Sequence, residues 1–158
     1  MKRLSEDARR TVLVSASAEA HRLGSDRIGT EHLFLAVTGE FDSLSKQVLG
    51  VDLSTARRAL TDMDRQAMRN VGIDATSLDR PRTISGRRRP PFTSGARKVL
   101  KAAVHHAREE TADVVTERDL LRSLLTLARP DPAAGLIDAL DINRDEAIGK
   151  LESDGVGG

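Results

Sequence analysis

The feature that most constrains this chain is an internal repeat. The segment that begins PFTSGARKVL at Pro91 restates the pattern of the first residues of the chain, at an offset of about 87 residues. Such a repeat predicts two copies of one structural unit that pack against each other, with a shared groove between them as the candidate site. The matched pairs include Leu4 and Phe92, Val12 and Val99, Ala16 and Ala103, Ala20 and Ala107, Ile28 and Val115, and Leu33 and Leu120.

Each copy has the apolar spacing of about four helices. Small and apolar residues recur at three- and four-residue intervals through residues 5–23, which predicts a helix with one buried face. Thr30 is predicted to cap a second, very apolar helix, residues 44–49 form a third, and Ser54 is predicted to cap a fourth. In the second copy, Asn143 and Glu146 have the spacing of a capping box. No useful stretch alternates apolar and polar residues, so the sequence predicts an all-α fold.

The repeat also sets the predicted domain boundaries. We expect a single domain over residues 1–152, with repeat one at 4–70, a linker at 71–91, repeat two at 92–152 and a flexible tail at 153–158. The linker contains the basic run GRRRPP, which is either a patch that binds phosphate or a solvated connection between the repeats. The second interpretation is favoured, because short charged runs between packed units are usually solvated.

Composition excludes several classes of partner and site. The chain has 25 Lys and Arg against 24 Asp and Glu, so no overall charge attracts it to nucleic acid or to an anionic membrane. Tyr, Trp and Cys are absent, which removes most stacking platforms for single-stranded nucleic acid as well as thiolate chemistry. There is no apolar leader and no membrane-spanning stretch. We therefore predict a cytoplasmic protein that does not bind membranes, and a nucleic-acid-linked regulatory role is disfavoured.

No catalytic motif is present in the sequence. It contains no phosphate-binding loop of the GxxxxGK type, no GxSxG nucleophile motif and no HExxH metal motif. His105 and His106 are neighbours on a predicted helix, where they point about 100° apart and cannot ligate one metal together. The sequence predicts a protein that is not an enzyme and has neither cofactor nor metal site.

The cluster Gly29-Thr30-Glu31-His32 has three possible interpretations. It can start a helix, since Thr suits a cap and Glu is favoured by the helix dipole. It can bind a ligand that presents a cation to Glu31 and an anion to the helix end, as a phosphorylated guanidinium would. A metal-dependent hydrolase that uses Glu31 and His32 is the third and least favoured interpretation.

Taken together, these segments resemble a known family. The chain resembles the Clp repeat domain at the N-terminus of ClpC- and ClpA-type Hsp100 unfoldases. The segments that carry the resemblance are an aromatic residue or Leu followed by Ser or Thr, then ARR or ARK, an Ala-rich helix, IGTEHLFLAV and LGVDLSTARRAL. The resemblance extends from about Leu4 to Leu151. It implies eight helices with pseudo-two-fold symmetry, in a non-enzymatic module that binds proteins or peptides. The implied partners are components of the ATP-dependent Clp protease, adaptor or substrate proteins, and cyclic peptides.

The resemblance also implies two binding sites. In relatives, the Glu of the Gly-Thr-Glu-His motif helps to bind phosphoarginine, and here that position is Glu31, beside Thr30. In the second copy the equivalent residues are Glu117 and Arg118, and Arg118 stands where the second Glu would be. The second implied site is a peptide-binding groove between the repeats, at Leu4, Phe92 and Arg97.

The family resemblance covers only the N-terminal domain of those unfoldases. No ATPase module follows the second repeat in this sequence. Two interpretations fit this observation: a stand-alone protein of two Clp repeats, or the excised N-terminal domain of a full ClpC-type unfoldase. The long Arg-rich linker favours the first.

Overall fold

The fold is all-α, as predicted. A computed structural model describes residues 6–72, 90–109 and 115–156, so Leu4 and most of the predicted linker lie outside the described residues. No helix in these ranges is both long and apolar enough to cross a membrane. They contain eight helices: α1 (Glu6–Arg22), α2 (Thr30–Glu40), α3 (Asp42–Leu49), α4 (Leu53–Asn70), α5 (Ser94–Glu109), α6 (Glu117–Leu125), α7 (Pro132–Ala139) and α8 (Arg144–Val156).

Helices α1–α4 and α5–α8 repeat the same buried pattern. Val12 and Val99 are equally buried on α1 and α5, and the alanine pairs that the sequence matches are buried as well. The turn before the last helix of each copy repeats too. Gly50 and Asp141 occupy equivalent positions, and both adopt a left-handed backbone, with φ of 71° and 54°. Asp is one of the few residues other than glycine that tolerate this conformation, so the same turn forms without glycine in the second copy.

A short backbone bridge joins the two copies. Ile28, just before α2, pairs in parallel with Phe92, just before α5. The Ile28 N–H donates to the Pro91 carbonyl at 2.9 Å, and the Thr93 N–H donates to the Ile28 carbonyl at 2.9 Å. This bridge fixes the start of the second repeat against the most buried helix of the first.

Helix α2 is the centre of the core. It packs against α1, α3, α4, α5, α6 and α7, and so it contacts both repeats. All residues from His32 to Thr38 are buried. This explains why the segment is apolar around its whole circumference, a pattern that suits a helix surrounded by others.

Two predicted caps are wrong. Gly29 is the N-cap residue of α2 and Thr30 is its first helical residue. Helix α4 begins at Leu53, and its cap is Asp52, whose carboxylate accepts the Thr55 N–H at 2.8 Å. Ser54 therefore lies inside the first turn of α4, because Asp52, whose backbone is extended, already supplies the capping acceptor with its side chain.

At the other end of the chain one cap is confirmed and one boundary differs. The Asn143 side chain accepts the Glu146 N–H at 3.1 Å, as the capping spacing predicts. Helix α8 continues to Val156, although residues 153–156 are assigned to the tail by sequence. Glu152 pairs with Arg122 of α6 at 3.3 Å, and the Ser153 hydroxyl donates to the Lys150 carbonyl at 3.2 Å, so the last turn has local partners.

Candidate binding sites

An apolar groove lies where the two repeats meet. Its volume is about 140 Å³, and α1 and α5 supply facing walls. Leu13 and Leu100, which are equivalent residues of the two copies, both line the groove. The lining residues are Val12, Leu13, Phe92, Leu100, Val104, Val115 and Leu120.

The structure places one of the three predicted groove residues in this groove. Phe92 is partly exposed and lines it. Arg97 lies on the exposed face of α5 and is not among the lining residues, and Leu4 lies outside the described part of the chain. Sequence reasoning missed Leu13 and Leu100. The signal that could have found them is their matched position beside the buried valines of α1 and α5.

His32 has a structural role at the start of α2. Its Nδ1 accepts the Gly29 N–H at 2.9 Å, and the residue is only 2% exposed. Burial lowers the pKa of His32 to about 4, so the imidazole is neutral at neutral pH. Because Nδ1 is an acceptor here, it carries no proton and cannot form an ion pair with the nearby Glu31.

The second repeat builds the same helix start from different residues. Thr116 occupies the position of Gly29, and Asp119 the position of His32. The Thr116 N–H donates to Asp119 Oδ2 at 2.7 Å, and the Asp119 N–H donates back to the Thr116 hydroxyl at 3.3 Å. His32 and Asp119 therefore have the same role, because each accepts the backbone N–H of the residue that caps its helix. Across the described ranges, no three His, Asp or Glu residues are grouped to hold a metal ion.

Thr30 links the two repeats instead of capping its own helix. Its hydroxyl donates to Asp131 Oδ1 at 2.6 Å and accepts the Ala133 N–H at 3.2 Å. Asp131 accepts the same Ala133 N–H at 2.9 Å. Thr30 and Asp131 thus cap α7 together, and the starts of α2 and α7 are held against each other.

Glu31 carries an uncompensated carboxylate at this junction. Its side chain is 17% exposed, and its Oε1 lies 3.5 Å from His32 Nδ1. Oε2 is buried and has no hydrogen-bond partner among the described residues. Burial raises the pKa of Glu31, a hydrogen bond from its own backbone N–H offsets part of this, and the charge of Asp131 raises the pKa further. A ligand cation would relieve both effects, and a guanidinium matches a carboxylate in geometry as well as in charge.

The equivalent position in repeat two has the opposite charge. Arg118 replaces Glu31, and its Nη1 donates to the Leu151 carbonyl at 3.0 Å, which attaches the start of α6 to α8. Glu117 is partly exposed and occupies the position of Thr30. The carboxylate site is therefore built in one repeat only.

Comparison with known proteins agrees with this architecture. The sequence model of the Clp repeat (R) N-terminal domain matches residues 3–129. One relative is the ATP-dependent Clp protease ATP-binding subunit ClpA homolog from Trieres chinensis. It is 25% identical to this chain over 132 residues, which are 84% of this chain and 13% of that protein. Chaperone protein ClpC1, chloroplastic, from Arabidopsis thaliana is 29% identical over 117 residues, 72% of this chain and 11% of that protein. The chain thus spans about one eighth of such relatives.

A solved structure matches almost the whole chain. It is the N-terminal domain of the caseinolytic protease associated chaperone ClpD from Arabidopsis thaliana, with a TM-score of 0.71 and 96% of both chains covered. Sequence identity is 21%, so this match concerns the fold.

Proposed function

The chain belongs to the family of Clp repeat N-terminal domains, and we propose that it is a non-enzymatic module that binds protein or peptide segments for the ATP-dependent Clp protease system. The observation that carries this proposal is the apolar groove between α1 and α5, which both repeats line. The relatives are named as ATP-binding subunits of that protease and as chaperones. The proposal holds whether the domain acts alone or ahead of an ATPase ring.

The groove is suited to apolar side chains of a peptide. Its walls are aliphatic apart from Phe92, whose ring offers a flat surface to a ligand. An apolar cleft with few polar groups binds mainly through the area it removes from water. We propose cyclic peptides and exposed apolar segments of adaptors or substrates as its ligands.

Replacing Phe92 by alanine is expected to weaken binding of a Clp-targeting cyclic peptide about 10- to 100-fold, because a central aromatic contact is removed. Isothermal titration calorimetry measures this change. Phe41→Ala is the matched control, since Phe41 is also partly buried but does not line the groove. Equal affinity in the wild type and Phe92→Ala would overturn the assignment of the groove.

A second candidate function is recognition of phosphoarginine at Glu31 and Thr30. The buried, unpartnered Oε2 of Glu31 favours it, because a guanidinium would supply the missing donors. The negative charge of Asp131 acts on the same carboxylate, so a guanidinium bound there would meet two negative charges. The cytoplasmic location that the sequence predicts fits this role, but it stays a prediction.

Phosphoarginine is expected to bind with a stoichiometry of one per chain. Glu31→Gln removes the carboxylate charge and should abolish measurable binding, whereas Glu117→Gln should leave it unchanged, because the charge of the second repeat is reversed at Arg118. Calorimetric titration gives both the stoichiometry and the affinity. Two bound equivalents, or a loss caused by Glu117→Gln, would contradict a site in repeat one alone.

A further inference from the structure

One face of α4 forms a cluster of arginines away from the groove. This face contains three arginines at helical spacing, Arg57, Arg58 and Arg65, with Ser54 before them and Thr61 between them. Arg22 at the end of α1 lies beside them. They border an open depression of about 670 Å³. We call this surface the Arg face, and its residues are Arg22, Leu53, Ser54, Arg57, Arg58, Thr61, Asp62 and Arg65.

Glu19 holds two of the guanidinium groups in place from below. It is 5% exposed, and its carboxylate accepts Arg22 Nε at 3.1 Å and Arg57 Nε at 3.1 Å, with Arg57 Nη2 as a further donor. The side chains of Arg22 and Arg57 are 41% and 40% exposed. Each therefore keeps N–H groups at the surface while one edge of its guanidinium is fixed. Such groups lose little freedom when they bind an anion.

The charges of the Arg face are not balanced locally. Arg58 and Arg65 are exposed on the same side of α4, which brings four guanidinium groups together. Among the residues that line or support the depression, two carboxylates oppose these four cations: Glu19 from below, and Asp62, which lines the same depression. The face therefore attracts anions, although the chain as a whole carries a net charge of only +1.

The fold itself does not require these arginines. The last helix of repeat two aligns with α4 through the turns at Gly50 and Asp141, and it is equally buried at Ala147 and Leu151. Its outer face nevertheless lacks the basic residues. At the positions of Ser54, Arg57, Arg58 and Thr61 it has Asp145, Ile148, Gly149 and Glu152.

We propose that the Arg face docks an acidic peptide segment, rich in Asp or Glu, of a protein partner. Four guanidinium groups donate to its carboxylates: those of Arg22 and Arg57, which Glu19 fixes, and those of Arg58 and Arg65. The Ser54 hydroxyl supplies a further donor, whereas the Thr61 hydroxyl already donates to the Arg57 carbonyl at 3.0 Å. The face extends over about three turns of α4, or roughly 16 Å. About five or six residues of extended peptide cover that length. This site is independent of the groove, which α4 does not line.

The probe is fluorescein-labelled hexaglutamate, and fluorescence anisotropy at low salt measures its binding. Arg58→Glu with Arg65→Glu is expected to weaken binding at least about 10-fold, because two charge-assisted contacts become repulsive. The matched control, Lys98→Glu with Lys101→Glu, makes the same change in net charge on the exposed face of α5 and should alter binding less than about two-fold. Circular dichroism verifies the fold, and Arg58→Gln with Arg65→Gln replaces the double reversal if that variant unfolds.

Three outcomes overturn the proposal. The first is the absence of hexaglutamate binding to the wild type. The second is an equal loss in both double variants, which would mean that only net charge matters. The third is self-association of the wild type in sedimentation experiments, if Arg58→Glu with Arg65→Glu abolishes it and hexaglutamate does not compete with it. That result would assign the face to a second copy of the chain. Cyclic peptide binding in the groove should be unchanged in every variant, so this test is separate from that of the proposed function.

Discussion

Phe34→Ala is expected to lower the free energy of unfolding by about 3–5 kcal/mol. Phe34 is fully buried in α2, and α2 packs against helices of both repeats. Removing its ring leaves a cavity at the point where the two copies share one core. The loss should therefore appear in a single transition that unfolds both repeats together.

Urea denaturation followed by circular dichroism at 222 nm tests this expectation. Val14→Ala is the control, because Val14 is 53% exposed on α1 and its truncation should change stability by less than about 0.5 kcal/mol. Two separate transitions in Phe34→Ala would show that the repeats unfold independently. That result would contradict a single domain with α2 at its centre.

The buried imidazole of His32 is expected to make the protein less stable as the pH falls from about 6.5 to about 4. The pKa of His32 is lowered by burial, so the unfolded chain binds a proton at a pH where the folded chain does not. Protonation therefore favours unfolding throughout this window. A shift from 6.5 to about 4 corresponds to about 3 kcal/mol.

His32→Gln isolates this contribution. Glutamine can accept the Gly29 N–H as His32 does, but it does not titrate. Other carboxylates also have shifted pKa values. Burial raises the pKa values of Glu31 and Asp64, so protonation of these two groups favours the folded state as the pH falls. The pKa of Glu19 is lowered, because its hydrogen bonds to arginines outweigh the effect of burial. These groups are common to both proteins, so the difference in unfolding free energy between them reports His32 together with its electrostatic interaction with Asp64.

The expected difference between the two proteins grows steadily as the pH decreases from 6.5 to 4. Urea denaturation at half-unit steps of pH measures it. Parallel stability curves for the wild type and His32→Gln would mean that His32 is accessible to protons in the folded state, and they would contradict its role as a buried cap.

Local patterns in the sequence predict most of the fold. The repeat and the helical spacing predict the eight helices and the equal burial of Val12 and Val99, which occupy matched positions, because burial imposes the same apolar period on both copies. The cap by Asn143 is likewise a local interaction and is confirmed. Contacts between residues close in sequence can be predicted because the helix geometry fixes their distance.

Contacts between distant residues could not be predicted in the same way. Thr30 has the right chemistry to cap α2, but its hydroxyl binds Asp131, which lies 101 residues further along the chain. The family resemblance assigns Arg97 to the groove, yet the direction of its side chain depends on how α5 packs against α2 and α6. The identity of a partner on another element follows from tertiary packing, which a single sequence does not record.

The groove and the Arg face differ in what they can bind. The groove removes apolar surface from water, and its binding should depend little on salt. The Arg face acts through exposed charges, which salt screens within about 10 Å at 0.1 M. A partner with an apolar segment and an acidic segment could occupy both surfaces at once, and its affinity would then exceed that of either segment.

A groove formed jointly by the two repeats is tested by a two-dimensional NMR titration of the ¹⁵N-labelled chain with a Clp-targeting cyclic peptide. The largest shifts are expected at Leu13 on α1 and at Phe92, Leu100 and Val104 in repeat two, while Arg58 and Arg65 on α4 should stay unchanged. Shifts confined to one repeat, shifts centred on α4, or no shifts at saturating peptide would contradict a binding groove formed jointly by the two repeats.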